Sequence, residues 1–287
     1  MNKIALYILT IGLFISSCSN KVGNKNHIVV SILPQKQLVS QLVPDDFKVT
    51  TMVTQGNSPA TYSPSPVQIK DVNDSHLYIK IGNIGFEQAW IDRFCELNPQ
   101  LKVEDSSKGI EFIRGEAEIH GDHVHEGGIE PHIWTSPKTM LQVVENTKDI
   151  LVHNYPELTQ TIESNYITLR DSLINIDSLY TQKLNNFKGK SFLIFHPAYT
   201  YLARDYGLKQ ISIEHNGKEP SVKWIQKIID FAKLENIKAI FVQEEFDKRN
   251  AEIISKELDI DIIEVHPLKE DYETEMKDLL NKLETIL

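Results

Sequence analysis

Three histidines occur where a short apolar run or motif meets a turn, a setting in which imidazoles can gather at one edge of a sheet. His196 ends the apolar run 192–195, His266 ends the run 262–265, and His132 lies in Glu-Pro-His-Ile-Trp at 130–134. The first two precede a proline, which cannot continue a central strand, so both runs are predicted to be buried strands that stop at the imidazole. Ligands bind outside the carboxyl ends of such strands. Imidazoles meeting there suit a metal of the zinc class.

A second group of histidines lies in the segment 116–128, where no apolar residue recurs with a helix or strand period. His120, His123 and His125 occur there together with Asp122 and Glu126. This composition predicts a mobile surface loop, and the tract is typical of metal-attracting segments. If the loop binds metal, we expect a weak collecting site, because a flexible loop loses conformational entropy when it closes around an ion. A solvated polar loop without a metal role is the alternative.

Composition limits the function classes. The chain has 287 residues, 41% of them hydrophobic, which allows two domains with real cores. The formal net charge is −10, and the lysines and arginines do not form a basic run. A nucleic-acid surface or an anionic-membrane surface is therefore not expected.

The N-terminus has the pattern of a bacterial lipoprotein signal. Lys3 precedes an apolar stretch at 4–15, too short to span a bilayer, and Ser16-Ser17-Cys18 has the small residues of a lipoprotein cleavage site. Residues 1–18 are predicted to be the signal peptide, Cys18 the lipidated residue and 19–26 a polar tether. A simple secretory peptide with a free Cys18 is the alternative. Cys95, the only other cysteine, is predicted to be a buried small hydrophobe, and no internal disulfide is expected.

Alternating strand and helix signals predict an α/β fold of two similar lobes, each a mostly parallel sheet flanked by helices. The N-terminal lobe is assigned to 27–136, with the His/acidic loop at 116–128, and the C-terminal lobe to 188–287. Residues 137–187 read as helical. Within them, apolar residues spaced by threes and fours from Leu158 to Leu184 predict one rigid inter-lobe helix of about 30 residues, roughly 45 Å long. A coiled-coil dimer seam is the competing interpretation of this helix, but a monomer is expected.

On these residues, the chain resembles the substrate-binding lipoproteins of bacterial zinc and manganese ABC importers. The similarity covers nearly the whole mature chain and is carried by many short motifs in order. They are Val-Ser-Ile at 30–32, Gly-Asn-Ser-Pro-Ala-Thr-Tyr-Ser-Pro-Ser-Pro at 56–66, Ile-Gly-Asn at 81–83, Glu-Pro-His-Ile-Trp-Thr-Ser-Pro at 130–137, His-Pro-Ala-Tyr at 196–199, Tyr-Gly-Leu at 206–208, Glu-Pro-Ser at 219–221 and Val-Gln-Glu-Glu-Phe at 242–246.

The resemblance implies two α/β lobes bridged by a long helix, with a metal held between them by four ligands. The second and third family ligands fall on His132 and His196, and His in the latter position is typical of the zinc branch. The first family ligand is a histidine, but Ala60 occupies that position here. The fourth, usually an aspartate, falls on His266. The resemblance therefore implies a site that has lost one ligand and exchanged another.

Three neutral imidazoles from His132, His196 and His266 would favour Zn²⁺ over Mn²⁺, which prefers carboxylate oxygen. Zinc accepts three protein ligands and keeps a fourth position open, for which water is our first choice. Glu245, Glu87 or a histidine of the 116–128 loop are the other candidates. Because imidazole must be deprotonated to bind, capture is expected to weaken as the pH falls through about 6.5.

The predicted function is extracytoplasmic capture of Zn²⁺ by a membrane-anchored lipoprotein, facing the periplasm or the cell exterior. The protein would deliver the ion to an ABC permease driven by a cytoplasmic ATPase, and no enzyme activity is expected. Two alternatives come from other classes, namely a zinc-dependent hydrolase that uses the open coordination position and an adhesin-like surface module. The loss of the ligand at Ala60 also allows a site that is weak, retuned to another metal or no longer binding.

Overall fold

The computed structural model describes residues 24–115, 118–120, 123–125, 128–214 and 220–287. The predicted signal peptide and the lipidation residue Cys18 therefore lie outside the described residues, as do His215 and Glu219. Within the described part of the chain, no helix combines the length and the apolar composition that crossing a bilayer requires.

The first half of the chain forms a parallel sheet flanked by helices. Its strands are β1 (Asn24–Val30), β2 (Lys48–Thr51), β3 (Ser75–Lys80) and β4 (Lys102–Asp105), and its helices are α1 (Leu33–Leu42), α2 (Pro66–Asp74) and α3 (Gly85–Leu97). The strand order is β2-β1-β3-β4, with every pair parallel. Pro34 occupies the first turn of α1, where its missing N–H costs nothing.

The segment that follows this sheet is paired rather than irregular. β5 (Glu118–His120) and β6 (His123–His125) form an antiparallel ribbon with His120 opposite His123 and Glu118 opposite His125. The isolated antiparallel bridge between Arg114 and Ile129 has the same register. The described residues therefore form a two-stranded hairpin where an unstructured loop was predicted.

Two helices connect the halves, and the second is the predicted long helix. They are α4 (Pro137–Asn154) and α5 (Thr159–Leu184), and α5 is extended at its ends by the 3₁₀ turns Pro156–Leu158 and Asn185–Phe187. α5 itself has 26 residues, about 39 Å, somewhat shorter than predicted because both ends tighten into 3₁₀ geometry. Its buried stripe is the predicted one, consisting of Ile162, Leu169, Leu173, Ile176, Tyr180 and Leu184.

The second half repeats the plan of the first. Its strands are β7 (Ser191–Ile194), β8 (Lys209–Ser212), β9 (Ala239–Gln243) and β10 (Asp261–Val265), and its helices are α6 (Thr200–Tyr206), α7 (Val222–Glu235), α8 (Arg249–Leu258) and α9 (Tyr272–Ile286). The order β8-β7-β9-β10, all parallel, is the same second-first-third-fourth arrangement. The predicted fold class is confirmed. The predicted domain boundaries at 136/137 and 187/188 stay predictions.

The long helix joins the two lobes through one continuous core. α5 packs against α1 and α4 on one side and against α6 and α9 on the other. The Tyr180 hydroxyl donates to the Met276 carbonyl at 2.7 Å, and the Asn165 amide donates to the Leu42 carbonyl at 3.3 Å. Cys95, in contrast, lies exposed on α3, not buried as predicted. Its helix buries Phe86, Glu87 and Phe94 instead.

A buried carboxylate fills the point of the first sheet where the strand order reverses, between β1 and β3. Glu87, on the first turn of α3, accepts hydrogen bonds from the backbone N–H of Ile81 at 2.7 Å and of Gly82 at 2.9 Å, and from the Ser31 hydroxyl. Only 4% of Glu87 is exposed. Burial raises the pKa of Glu87 to about 7, although the Ser31 hydroxyl and the two N–H groups favour the ionised form.

This raised pKa predicts a pH-dependent stability. Below the ordinary pKa of about 4.5 the carboxyl is protonated in both states; between 4.5 and 7 the unfolded chain releases the proton and the folded chain keeps it. The free energy of unfolding should therefore fall as the pH rises through this window, by up to about 3 kcal/mol. In Glu87→Gln this contribution is absent. In urea unfolding of the zinc-free protein, the free energy of unfolding of the variant should therefore rise relative to that of wild type between pH 4.5 and 8.

The matched control is Glu96→Gln, which removes an exposed carboxyl from the same helix. Its pH profile should run parallel to that of the wild type. A Glu87→Gln profile that also runs parallel to the wild type would contradict the raised pKa.

Candidate metal centre

Two of the three predicted histidines meet in the cleft. The Nε2 atoms of His132 and His196 lie 3.3 Å apart, and the ring centroids lie 5.0 Å apart at an interplanar angle of 75°. Two nitrogens bound at about 2.0–2.1 Å to a tetrahedral zinc ion lie about 3.3–3.4 Å from each other. The observed separation therefore equals the spacing that one shared ion requires.

Each of the two rings is oriented by a carboxylate on its other nitrogen. The Nδ1–H of His132 donates to Glu130, and the Nδ1–H of His196 donates to Glu214 at 2.5 Å. Because a carboxylate can only accept, the neutral rings carry the proton on Nδ1 and leave Nε2 as a lone pair. Carboxylate–histidine pairs of this kind fix the ring and make the ligand nitrogen more basic.

The carboxylate that orients His132 also anchors its segment to the second lobe. Burial raises the pKa of Glu130, but hydrogen bonds from the His132 ring and backbone and from the Thr200 hydroxyl outweigh it, so the net pKa is lowered. The Tyr201 hydroxyl donates to the Glu130 carbonyl at 2.8 Å. The Thr135 hydroxyl donates to the Ala198 carbonyl, also at 2.8 Å. These bonds hold the loop of His132 against the loop of His196.

His196 is fixed from the neighbouring strand. The amide of Gln243, which is fully buried at the end of β9, donates to the His196 carbonyl at 2.8 Å and accepts from the His196 N–H at 3.4 Å. The ring of Phe246 stacks on the imidazole with a centroid distance of 4.5 Å and an angle of 17°. His196 therefore lies, as predicted, at the carboxyl end of a parallel strand, and it does so at the point where the order of this sheet reverses.

Glu245 is the candidate for a third donor. It lines the cavity that contains the two imidazoles, and its Oε1 atom is buried with no hydrogen-bond partner. Burial raises the pKa of Glu245, and Glu244 adds to this, while its own backbone N–H, His266 and His196 oppose it. An unsatisfied buried carboxylate oxygen is costly, and a cation would relieve that cost.

His266 is not among the residues that line this cavity, although its neighbours Pro267 and Leu268 are. Its backbone N–H donates to the Glu275 carboxylate at 3.0 Å, and the Pro267 carbonyl accepts from the Trp134 indole at 2.9 Å. Over the described residues, no three His, Cys, Asp or Glu side chains are already gathered as a metal site. The pair His132 and His196 is thus the nucleus of the candidate site, and a third donor must close on it.

The other predicted site residues fall into two groups. Glu87 lies in the first lobe, where its two oxygens accept from Ser31, Ile81 and Gly82, so it is engaged in the fold. The histidines of the hairpin are described by their backbone pairing alone. Sequence reasoning missed Glu130, Glu214 and Gln243. Glu130 stands two residues before His132, and this proximity was the available signal, whereas the other two approach His196 only through the fold.

Comparisons with known proteins agree with this architecture. A profile of the ZnuA family, described as zinc-uptake complex component A periplasmic, matches residues 28–286. The zinc-binding lipoprotein AdcA of Streptococcus pneumoniae (strain ATCC BAA-255 / R6) is 29% identical over 281 residues, which cover 94% of this chain and 56% of AdcA. The high-affinity zinc uptake system protein ZnuA of Bacillus subtilis (strain 168) is 27% identical over 263 residues, covering 86% of this chain and 82% of that protein.

The fold similarity is closer still. A crystal structure of ZnuA superposes with a TM-score of 0.83 at 30% identity, covering 91% of this chain and 98% of the other. The chain spans about half of the length of the AdcA relative that it matches. With a family profile that extends over nearly the entire described sequence, this chain belongs to the ZnuA family of periplasmic zinc-uptake components.

Proposed function

We propose that this protein captures Zn²⁺ outside the cytoplasm and delivers it to an ABC permease powered by a cytoplasmic ATPase. The observation that carries the proposal is the 3.3 Å approach of the two Nε2 atoms of His132 and His196, each ring held by a carboxylate. Two lone pairs that face each other at this distance repel, and only a proton or a cation between them removes the repulsion. Family membership and the zinc-binding names of the relatives support zinc as the cargo.

The proposed ligands are His132, His196 and Glu245. In this set Glu245 takes the place predicted for His266, because Glu245 lines the cavity and has a free buried oxygen. His266 does not line the cavity, so it is not a ligand in this set. Two nitrogen donors with one carboxylate suit zinc, whereas the manganese expected as the lesser alternative prefers more oxygen donors.

The cavity favours transport over hydrolysis. Its wall contains two carboxylates among the described residues, Glu130 and Glu245. The oxygens of Glu130 accept from His132 and Thr200, and Glu245 is assigned to the metal, so neither is available as a general base. The family is one of uptake components, not of enzymes.

We propose that Cys18 carries a lipid that anchors the protein on the periplasmic or outer side of a membrane, in line with the lipoprotein name of AdcA and the periplasmic family.

We also propose that His120, His123 and His125 collect metal weakly. The hairpin register places His120 opposite His123, and His125 follows two residues further along the same strand as His123.

The direct test is zinc titration of histidine variants. His132→Ala and His196→Ala should each weaken zinc binding by about a hundredfold or more, since each removes one of three ligands. His266→Ala should cost less than about tenfold. His153→Ala, which removes an exposed histidine of α4, is the control. Zinc affinity is measured by competition with a chromophoric chelator. An affinity that neither His132→Ala nor His196→Ala changes would rule out this site.

Glu245 is tested by removing its charge alone. Glu245→Gln should lower zinc affinity by about a hundredfold, because an amide oxygen is a far weaker zinc donor than a carboxylate. Glu244→Gln removes the exposed carboxyl of the adjacent residue and should leave the affinity within about threefold of wild type. Equal effects of the two substitutions in the same chelator competition would exclude Glu245 as a ligand.

The orienting carboxylates predict an intermediate effect. Glu130→Gln and Glu214→Gln keep the side-chain shape but weaken the hydrogen bond to Nδ1, so each should lower zinc affinity by about tenfold. Glu111→Gln, an exposed carboxyl on the same approach to the hairpin, serves as the control. A loss as large as that of His132→Ala would instead indicate that the carboxylates bind the ion directly.

A further inference from the structure

The cavity of the candidate site has two chemically different walls. One wall carries the proposed ligands His132, His196 and Glu245, together with the rings of Trp134 and Phe246. The opposite wall comes from the first lobe and has no charged or aromatic group among its described residues. It consists of Ser58, Pro59, Ala60, Ile84 and Gly85.

This opposite wall has none of the usual zinc ligands, since its described residues include no His, Cys, Asp or Glu. Its one polar side chain is that of Ser58, whose hydroxyl oxygen accepts a hydrogen bond from the Ala60 N–H at 3.3 Å. The backbone is packed tightly, because the Phe86 N–H donates to the Pro59 carbonyl at 2.9 Å and a Cβ added at Gly85 would lie 2.6 Å from the Ala60 carbonyl oxygen. Ala60 therefore contributes only its methyl group to the cavity, and a methyl group cannot coordinate a metal.

The remaining polar groups around the cavity are committed elsewhere. Both ends of the Gln243 amide bond the His196 backbone, and both Glu130 oxygens accept hydrogen bonds. A zinc ion held by His132, His196 and Glu245 therefore has three protein donors from the described lining. Zinc is almost always tetrahedral, so a fourth donor must come from outside the described wall.

Space and charge indicate what that donor is. The cavity has a volume of about 200 Å³, several times the roughly 30 Å³ that one water molecule occupies. Three carboxylates, Glu130, Glu214 and Glu245, already surround the dication, so another anion would add to an excess of negative charge. A neutral donor with a flat apolar body fits better, because it could pack between the aliphatic wall and the aromatic rings.

We propose that zinc is bound as a ternary complex with a small exogenous imidazole-type ligand, whose nitrogen completes the tetrahedron and whose ring occupies the space beside Ala60. This rests on the proposed zinc function and specifies its cargo as a metal complex with a neutral nitrogen donor. Free histidine supplies that chemistry. The histidines at 120, 123 and 125 of this chain are the other source, and the test separates the two.

The experiment measures zinc affinity of the purified protein with and without imidazole, corrected for zinc bound by imidazole in solution. At ten times its own dissociation constant, imidazole should raise the apparent zinc affinity about tenfold. Free histidine should act like imidazole, and acetate at the same concentration should have no effect. With Co²⁺ as the probe, imidazole should shift the visible absorption bands, which report the donor set directly.

Two substitutions at Ala60 make the test specific. Ala60→His supplies the imidazole from the chain, so the zinc affinity without additive should rise by a similar factor and added imidazole should then have no effect. Ala60→Leu fills the same space without a donor and should abolish the imidazole effect without producing that rise. Ala60 is exposed at the cleft surface, which makes both side chains compatible with folding.

The outcomes are distinguishable. Absence of tight zinc binding in wild type would overturn the proposed function together with this inference. Tight zinc binding that imidazole and histidine leave unchanged would overturn the inference alone and assign the fourth position to water. A triple substitution of His120, His123 and His125 by Asn that lowers zinc affinity, with imidazole restoring it, would identify the chain itself as the donor and overturn the exogenous ligand.

Discussion

The arrangement of this site depends on two imidazole lone pairs held against each other. Glu130 and Glu214 take the Nδ1 protons, so the Nε2 atoms of His132 and His196 face each other at 3.3 Å with nothing to share. Such a pair is unfavourable by itself, and the surrounding structure must impose it. Hydrogen bonds from the surrounding residues hold the two rings in place against this repulsion. A cation bound between the rings would replace the repulsion with attraction.

The two lobes use the same topology in opposite ways. Both sheets have the second-first-third-fourth order, and both therefore create a crevice where the order reverses. In the first lobe the chain closes this crevice with its own carboxylate, Glu87, which accepts the N–H groups of Ile81 and Gly82. In the second lobe the crevice receives His196 and is lined by Gln243 and Glu245. One crevice is filled by structure, and the other remains available to a ligand.

Much of this was predictable from local patterns, and the failures have identifiable causes. The strand that ends at His196 was predicted correctly because a buried apolar run followed by proline leaves little choice. The same rule correctly ended a strand at His266, but it does not place the ring. A strand end fixes the backbone, but successive side chains alternate between faces, and the rule does not say which face a terminal residue takes.

Other features could not be inferred because they depend on pairing between distant segments. The contact of Glu214 with His196 requires the parallel alignment of β7 with β8. Helix α2, in contrast, has a local sequence signal. Ser65 at the N-cap and Gln68 at the third helical position form a reciprocal capping box, with Pro66 at the first helical position.

The distribution of the proposed ligands between the two lobes determines how much each lobe contributes to metal binding. The loops of His132 and His196 are joined by Thr135, Glu130 and Tyr201, so in the proposed site both imidazoles belong to one rigid body. Glu245 follows β9 of the same lobe. Metal affinity then requires no closure between lobes, and the absence of a ligand at Ala60 does not dismantle the site. In this site the first lobe does not coordinate the ion. Its aliphatic wall limits the space beside the ion and so determines which additional ligand can fit there.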